Sequence, residues 1–324
     1  MSSAVDETEL AFFVDGVVMT LMEEHHVPGV TLAVTGKEGP LLLKAYGYAN
    51  AIERTPATPN DTLFRIASIS KTFTAIAIMQ LLEQGKLSLD ADVRSILPDI
   101  AIDDHLGTVT VGGLLSHSAG FEASMLGFFT PSALDDRSAQ EQLSSLANDQ
   151  VNPPGVITAY SNYSFALLGE VIRAASGQDY FSYLEEHVLT PLAMANTSPR
   201  LRYGPEPLED SKLIALRAKE ASSHVWQGSY YDVIRFPQVI PSVAPAGAIS
   251  TTAADMVRYM RMLLNGGSLE GATILQPDTF ALMSQPLFQN GPYASANAHG
   301  FWTGEMAGHR YLSHSGATNE FIST

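Results

Sequence analysis

The feature that most constrains the fold is one predicted helix that begins near Ser68 and ends at a C-cap glycine, Gly85. Its apolar residues lie on nearly every side, at Ile76, Ile78, Met79, Leu81 and Leu82. A helix that is apolar all round is buried, because an exposed helix keeps one polar face. The chain must therefore surround this helix with other elements. With 324 residues, of which 45% are hydrophobic and 16% charged, it has the core residues to do so.

The same helix carries a serine and a lysine three positions apart, Ser68 and Lys71. Side chains at i and i+3 share a helix face and lie about 5–6 Å apart at Cβ. A serine hydroxyl is a weak nucleophile until a base lies within hydrogen-bond reach, and Ser-x-x-Lys can supply that base within one turn. The pattern alone is weak, since roughly half a match per chain arises by chance. It needs support from elsewhere in the sequence.

Composition excludes several classes of function. The net charge of −16 argues against a nucleic-acid partner and against a polybasic membrane-surface role. The chain has no cysteine, which excludes disulfides, thiolate catalysis and cysteine-ligated metals. The metal-binding motif His-Glu-x-x-His does not occur in the sequence. The sequence contains no run of 18 apolar residues, so it predicts no membrane span. No signal peptide is visible. We expect a periplasmic or secreted protein if a leader has been removed, and a cytoplasmic one otherwise.

The remaining sequence predicts a mixture of helices and strands without internal repeats. Apolar periodicity and capping residues predict helices over residues 8–25, 163–175, 180–188 and 253–265. Two hairpins are predicted, one pairing 30–35 with 40–48 and one pairing 300–305 with 309–313. Residues 200–245 lack periodicity and are predicted to form a long surface loop, and long loops in compact domains are often functional.

Three further motifs follow the Ser-x-x-Lys helix in order. Tyr160-Ser161-Asn162 lies between a Pro-Pro-Gly loop and a helix. A lysine ammonium can lower the pKa of a nearby phenol, which can then shuttle a proton. Pro245-Ala246-Gly247 precedes the helix at 253–265, and His314-Ser315-Gly316 ends a strand where a glycine lets a substrate lie close to the strand edge.

With this order of motifs the chain resembles the serine β-lactamase and penicillin-binding-protein superfamily. Within it, the chain is most similar to the class C-like group that includes family VIII carboxylesterases. The resemblance runs from Pro28-Gly29 to Gly316 and includes Leu114-Leu115-Ser116-His117-Ser118-Ala119-Gly120. It implies an α/β protein of the α+β type, with an antiparallel sheet built from both ends of the chain and flanked by helices. We expect one catalytic domain over residues 1–324, with a sheet region at about 1–74 and 236–324 and a mainly helical region at about 75–235.

The resemblance assigns roles to individual residues. Ser68 matches the acylated nucleophile, and Lys71 matches the group that deprotonates it, alone or with Tyr160. Tyr160 also matches the group that protonates the leaving atom and activates the deacylating water. Asn162 either orients the lysine and the substrate amide or caps the following helix.

The C-terminal motif completes the expected site. His314, Gly316 and Ala317 match the strand that binds substrate, and the backbone N–H groups of Ser68 and Ala317 match the oxyanion-hole donors. No cofactor or metal is implied.

The chain departs from the family pattern in two ways. His314 stands where penicillin-recognising relatives carry a lysine, and an unperturbed histidine is mostly neutral at pH 7. The fixed charge that would hold a substrate carboxylate is therefore weaker. Relatives also continue past this motif with two strands and a helix that the present sequence lacks, so we expect a missing C-terminal segment or a partner chain to complete the sheet.

The sequence thus predicts a serine hydrolase acting through a Ser68 acyl-enzyme on small carboxylic esters. The alternatives are a β-lactamase, a DD-peptidase or D-aminopeptidase-type amide hydrolase, or an acyltransferase. A protein of another class, a sensor that acylates without turnover, also fits. Tyr48-Ala49-Asn50 repeats the Tyr-x-Asn pattern but lies on a strand upstream of Ser68, and His117 is expected to be structural because no Gly-x-Ser-x-Gly elbow exists.

Overall fold

The computed structural model describes residues 6–130, 137–146, 148–201, 210–234 and 238–324. Its helices are α1 (Glu7–Glu24), α2 (Ser70–Glu83), α3 (Val93–Ile96), α4 (Val111–Leu115), α5 (Ala139–Leu146), α6 (Asn162–Ser176), α7 (Tyr180–Leu184), α8 (Ser211–Arg217), α9 (Ala253–Leu264) and α10 (Pro277–Met283). Short 3-10 turns cover Ala67–Ile69 and Pro241–Ala246, and a π turn covers Glu185–Leu189.

Most of the described strands have only two or three residues. The strands are β1 (Gly29–Thr35), β2 (Pro40–Asn50), β3 (Thr55–Pro56), β4 (Phe64–Arg65), β5 (Phe129–Thr130), β6 (His224–Trp226), β7 (Tyr231–Val233), β8 (Gln238–Val239), β9 (Ser250–Thr251), β10 (Ser268–Leu269), β11 (Ala272–Thr273), β12 (Ala296–Ala298), β13 (Phe301–Met306), β14 (His309–Ser313), β15 (Gly316–Ala317) and β16 (Ile322–Ser323). The longer ones are β1, β2, β13 and β14. The α+β class expected from the sequence is confirmed.

Helix α2 is the buried centre of the molecule, as its apolar surface predicted. Every residue from Ser70 to Leu81 is buried. The helix packs against α6, α7, α10 and the Pro241–Ala246 turn, so elements from distant parts of the chain meet around it. The buried helix therefore provides a firm structural support for Lys71, which lies in its first turn.

The two three-stranded sheets, one from each end of the described chain, are not hydrogen-bonded to each other, so the expected single antiparallel sheet is not observed. One three-stranded sheet has the order β1-β2-β3, and another has the order β12-β13-β14. In the described part of the chain, β1 pairs only with β2, so no strand there bridges the two sheets. Helix α1 lies against β2 through Asp15, which accepts hydrogen bonds from Lys44 Nζ at 2.7 Å and from the Tyr46 hydroxyl at 2.7 Å.

Residues 200–245 contain more regular structure than their composition predicted, namely α8 and the β6-β7 hairpin, while 202–209 and 235–237 lie outside the described residues. The predicted hairpin at 300–313 is confirmed as β13 and β14, paired antiparallel. Among the described residues, no helix combines the length and the apolar character that a bilayer span requires.

Candidate active site

Ser68 lies at the entry to α2, in the 3-10 turn, rather than inside the predicted helix. The chain reaches this turn from β4, which pairs antiparallel with β9 through Phe64 and Arg65. Ala67 then adopts a φ of 45°. This left-handed conformation costs a non-glycine residue roughly 1–2 kcal/mol. The surrounding contacts hold the turn in this conformation, and only the lysine of the pair is helical.

The Lys71 side chain is fully buried and has three polar neighbours. Its Nζ lies 3.0 Å from Ser68 Oγ, 2.7 Å from Asn162 Oδ1 and 2.6 Å from the Ala246 carbonyl oxygen. Burial lowers the pKa of Lys71 well below its usual value. The two carbonyl oxygens can only accept, so a neutral amine would donate both of its N–H groups to them. Its lone pair is then directed at the Ser68 hydroxyl.

Tyr160 approaches the same serine from the other side. Its phenol is hydrogen-bonded to the Ser68 side chain, and Lys71 Nζ lies 4.9 Å from the centre of its ring. The expected lowering of its pKa by the lysine is wrong. Burial raises the pKa of Tyr160 to about 12, and this effect exceeds the opposing hydrogen bond from Ser68. The phenol is therefore protonated at neutral pH and cannot accept a proton from Ser68. Lys71 is thus the stronger candidate for the base that deprotonates Ser68.

Asn162 is the first residue of α6, but it does not cap the helix. The cap is Ser161, whose Oγ accepts a hydrogen bond from Ser164 N at 3.2 Å. The Asn162 side chain is free to bind Lys71 through Oδ1, while its Nδ2 donates to Met125 Sδ at 3.2 Å. Of the two predicted roles for Asn162, this geometry supports the orientation of the lysine.

His314 directly follows β14 and carries a neutral imidazole beside Tyr160. Its Nδ1 lies 2.6 Å from the Ser315 carbonyl oxygen and must donate to it, which leaves the buried Nε2 as an acceptor without a partner among the described residues. Burial and the nearby Lys71 lower the pKa of His314 to about 4. The ring centre of His314 lies 6.3 Å from that of Tyr160. The position therefore offers a hydrogen-bond acceptor and no positive charge above about pH 5.

Gly316 and Ala317 form β15, which runs directly beside the Ser68 turn. A Cβ on Gly316 would lie 2.2 Å from the Ile66 carbonyl oxygen, 2.6 Å from Ser323 Oγ and 3.0 Å from Ser68 N. Only a glycine allows this approach, since real Cβ atoms do not come this close to backbone. The close approach places the backbone of β15 next to that of Ser68.

The hairpin of β15 and β16 is anchored by contacts that the sequence did not reveal. Arg65 and Glu320 form a buried ion pair at 2.9 Å, with side-chain exposures of 8% and 2%. Ser323 Oγ donates to the Ile66 carbonyl oxygen at 2.9 Å, and Phe321 packs edge-on against Phe64. A buried arginine in an otherwise apolar stretch signals a carboxylate partner, but that partner lies 255 positions away. The Ala246 carbonyl at Lys71 was also missed, because backbone acceptors carry no sequence signature.

Comparisons with known proteins identify the family. The profile of the family described as "Beta-lactamase" matches residues 14–324. The chain belongs to the β-lactamase family. It is 33% identical over 275 residues to "Penicillin-binding protein 4" of Amycolatopsis lactamdurans, an alignment covering 82% of this chain and 67% of that protein. It spans 59% of the length of further curated relatives from Staphylococcus aureus.

Two solved structures show the same β-lactamase-like fold. The octameric penicillin-binding protein homologue from Pyrococcus abyssi superimposes with a TM-score of 0.78 at 25% identity, covering 95% of this chain and 68% of that one. EstCE1, a hydrolase with promiscuous acyltransferase activity, superimposes with a TM-score of 0.74 at 24% identity, covering 93% and 84%. The family resemblance inferred from the motifs is confirmed, and the chain belongs to the serine hydrolase superfamily that includes the β-lactamases and the penicillin-binding proteins.

Proposed function

We propose that this protein hydrolyses carboxylic esters through a covalent acyl-enzyme on Ser68. The observation that carries the proposal is the position of Lys71 Nζ, 3.0 Å from Ser68 Oγ, with two carbonyl oxygens around its remaining bonds. A buried amine in this setting holds a lone pair for the serine proton. The chemistry needs only side chains and backbone groups of this chain.

In the first half of the reaction, Ser68 Oγ attacks the ester carbonyl carbon and transfers its proton to Lys71 Nζ. The backbone N–H groups of Ser68 and Ala317 then bind the oxyanion, and each such donor contributes about 100- to 1,000-fold to kcat. Tyr160 donates its proton to the departing alkoxide as the C–O bond breaks. The products of this half are the alcohol and a Ser68 ester, with the proton balance restored when Lys71 returns its proton to Tyr160.

In the second half, a water molecule replaces the alcohol. Lys71 is the net acceptor of the proton of the water, which Tyr160 relays by passing its own phenolic proton to the amine as the water oxygen attacks the acyl carbon. Collapse of the tetrahedral intermediate breaks the bond to Ser68 Oγ, which regains a proton, and the carboxylic acid leaves. Both halves use the same groups in opposite directions.

The neutral His314 favours esters over substrates that require recognition of a carboxylate. A penicillin-recognising site holds the substrate carboxylate by a cation, whereas His314 offers a lone pair. A second candidate is an amide hydrolase or a slowly deacylating penicillin-binding protein, which the 33% identity to "Penicillin-binding protein 4" favours. The two candidates differ in whether the acyl-enzyme turns over.

Replacing Ser68 with alanine tests the proposal directly. We expect the esterase rate on p-nitrophenyl butyrate to fall to the background rate, and labelling by a fluorophosphonate to disappear, because the attacking oxygen is gone. The matched control is Ser70→Ala, whose Oγ accepts a hydrogen bond from Ile249 N at 3.0 Å behind the site and lies outside the proposed reaction path. Label mapped to another residue, or full activity of Ser68→Ala, would refute the proposal. A burst of one equivalent without turnover would favour the penicillin-binding alternative.

Replacing His314 with lysine tests the substrate preference. We expect kcat/KM for nitrocefin, which carries a carboxylate, to rise about 10-fold relative to that for ethyl butyrate, because the new ammonium attracts the anion. The control is His314→Gln, which stays neutral and should leave the ratio of the two rates unchanged. Equal changes of both rates in His314→Lys would show that this position does not select the charge of the substrate.

A further inference from the structure

His117 lies outside the proposed reaction path, yet it makes direct contact with the segment that carries Tyr160. It lies in the turn that follows α4, is 1% exposed and adopts a φ of 55°. A left-handed backbone at a buried histidine costs free energy, which indicates that neighbouring contacts require this placement.

Two hydrogen bonds join His117 to the residues on either side of Tyr160. The Ala159 backbone N–H donates to the His117 carbonyl oxygen at 2.8 Å, and the Ser161 backbone N–H donates to His117 Nδ1 at 3.1 Å. The residues on both sides of the tyrosine are thereby hydrogen-bonded to one residue. A shift of His117 would move the phenol with it.

The ring of His117 also supports the phenol ring itself. The ring centres of His117 and Tyr160 are 4.5 Å apart with an interplanar angle of 38°. On its other sides the imidazole lies 5.1 Å from Phe165 of α6 and 6.5 Å from Trp302 of β13. Burial, Lys71 and His314 all lower the pKa of His117, so the imidazole is neutral and Nδ1 is free to accept. The cluster formed by His117, Tyr160, Phe165 and Trp302 is therefore uncharged and adds no positive charge near Lys71.

We propose that His117 is a positioning residue for Tyr160, which it holds by accepting hydrogen bonds from the backbone N–H groups of Ala159 and Ser161 and by packing against the phenol. This inference rests on the proposed function, because it assumes that Tyr160 transfers protons to and from the alcohol and water. It assigns His117 neither contact with substrate nor a proton of its own. Loss of the support lets the phenol drift from Ser68, and a displacement of about 1 Å can cost 100-fold in rate.

Two variants of matched shape separate positioning from packing. Asparagine places Oδ1 where histidine has Nδ1 and tolerates the left-handed conformation, whereas leucine has the same branching without an acceptor. On ethyl butyrate, whose alkoxide needs a proton to leave, we expect His117→Leu to lower kcat about 10- to 100-fold with little change in KM. His117→Asn should retain kcat within about threefold.

A second readout guards against simple misfolding. Fluorophosphonate labelling needs Ser68 and Lys71 but expels fluoride, which requires no proton from Tyr160. Labelling of His117→Leu should therefore stay within about threefold of the unmodified protein. If His117→Leu does not fold, His117→Gly replaces it, since glycine accepts this φ without strain and also lacks the acceptor.

A double-mutant cycle tests whether His117 acts through the hydroxyl of Tyr160. In the Tyr160→Phe background the hydroxyl to be positioned is absent, so adding His117→Leu should cost less than about threefold in kcat. An equal loss in both backgrounds, or no loss at all, would overturn the inference. If Ser68→Ala loses all activity while the cycle is additive, only the role of His117 fails. If Ser68→Ala keeps its activity, the proposed function fails first.

Discussion

Replacing Lys71 with methionine will lower kcat/KM for ethyl butyrate by about 1,000-fold or more, because the side chain keeps its length and loses the lone pair that accepts the Ser68 proton. The three partners at 3.0, 2.7 and 2.6 Å will lose their common nitrogen. Fluorophosphonate labelling should slow to a similar extent, since it depends on the same activation. Steady-state kinetics and a labelling time course measure both losses.

The same amine predicts the pH dependence of the unmodified protein. Only neutral Lys71 can act as the base, so kcat/KM should fall as the pH drops through the pKa of this lysine. Burial lowers that pKa well below 10.5, and the acid limb should lie correspondingly below the usual lysine range. The control is Lys86→Met, at an exposed site just after α2, which should retain full activity. More than a tenth of the normal rate in Lys71→Met would contradict this assignment.

Replacing Gly316 with alanine will remove most of the activity by a different route. The new Cβ would lie 2.2 Å from the Ile66 carbonyl oxygen, which belongs to the backbone and cannot move without Ser68. The clash therefore separates β15 from the serine turn. Because β15 carries the proposed oxyanion donor of Ala317, we expect kcat/KM to fall about 100-fold or more. The melting temperature should fall as well.

A glycine in a turn between two strands provides the comparison for this change. Gly39 lies in the turn between β1 and β2, and no atom lies within 4 Å of the position that a Cβ would take there. Gly39→Ala should leave both kinetics and melting temperature unchanged. Normal activity in Gly316→Ala would show that the contact between β15 and the serine turn is not needed for catalysis.

The residues brought together at the site were largely predictable, because each belongs to a short motif with local geometry. Ser68 and Lys71 are one turn apart, and Tyr160 and Asn162 flank the helix cap at Ser161. Apolar periodicity likewise identified the buried α2, and capping residues identified the helix at 253–265, which corresponds to α9 with Thr252 as its cap. Each of these signals depends on neighbours within a few positions.

What the sequence could not supply depends on distance or on burial. The Ala246 carbonyl oxygen contacts Lys71 although it lies 175 positions away in the sequence. Glu320 likewise comes from far along the chain to pair with Arg65, next to the serine turn. The direction of the Tyr160 pKa shift was mispredicted because the charge of a nearby lysine suggests a lowering, while desolvation of the phenol is a property of the folded site. The single sheet was mispredicted because strand pairing across the whole chain has no local signature.

The anchoring of the β15-β16 hairpin also sets when a newly made chain can become active. The Ser323 hydroxyl binds the Ile66 carbonyl across 257 positions of sequence. A ribosome that adds about 5–20 residues per second needs roughly 10–50 s to make the intervening chain. Ser68 and Lys71 leave the ribosome early, but the strand that carries the proposed oxyanion donor is made about 250 residues later. The nascent protein would thus carry its proposed nucleophile in an inert form until most of its core has been synthesised.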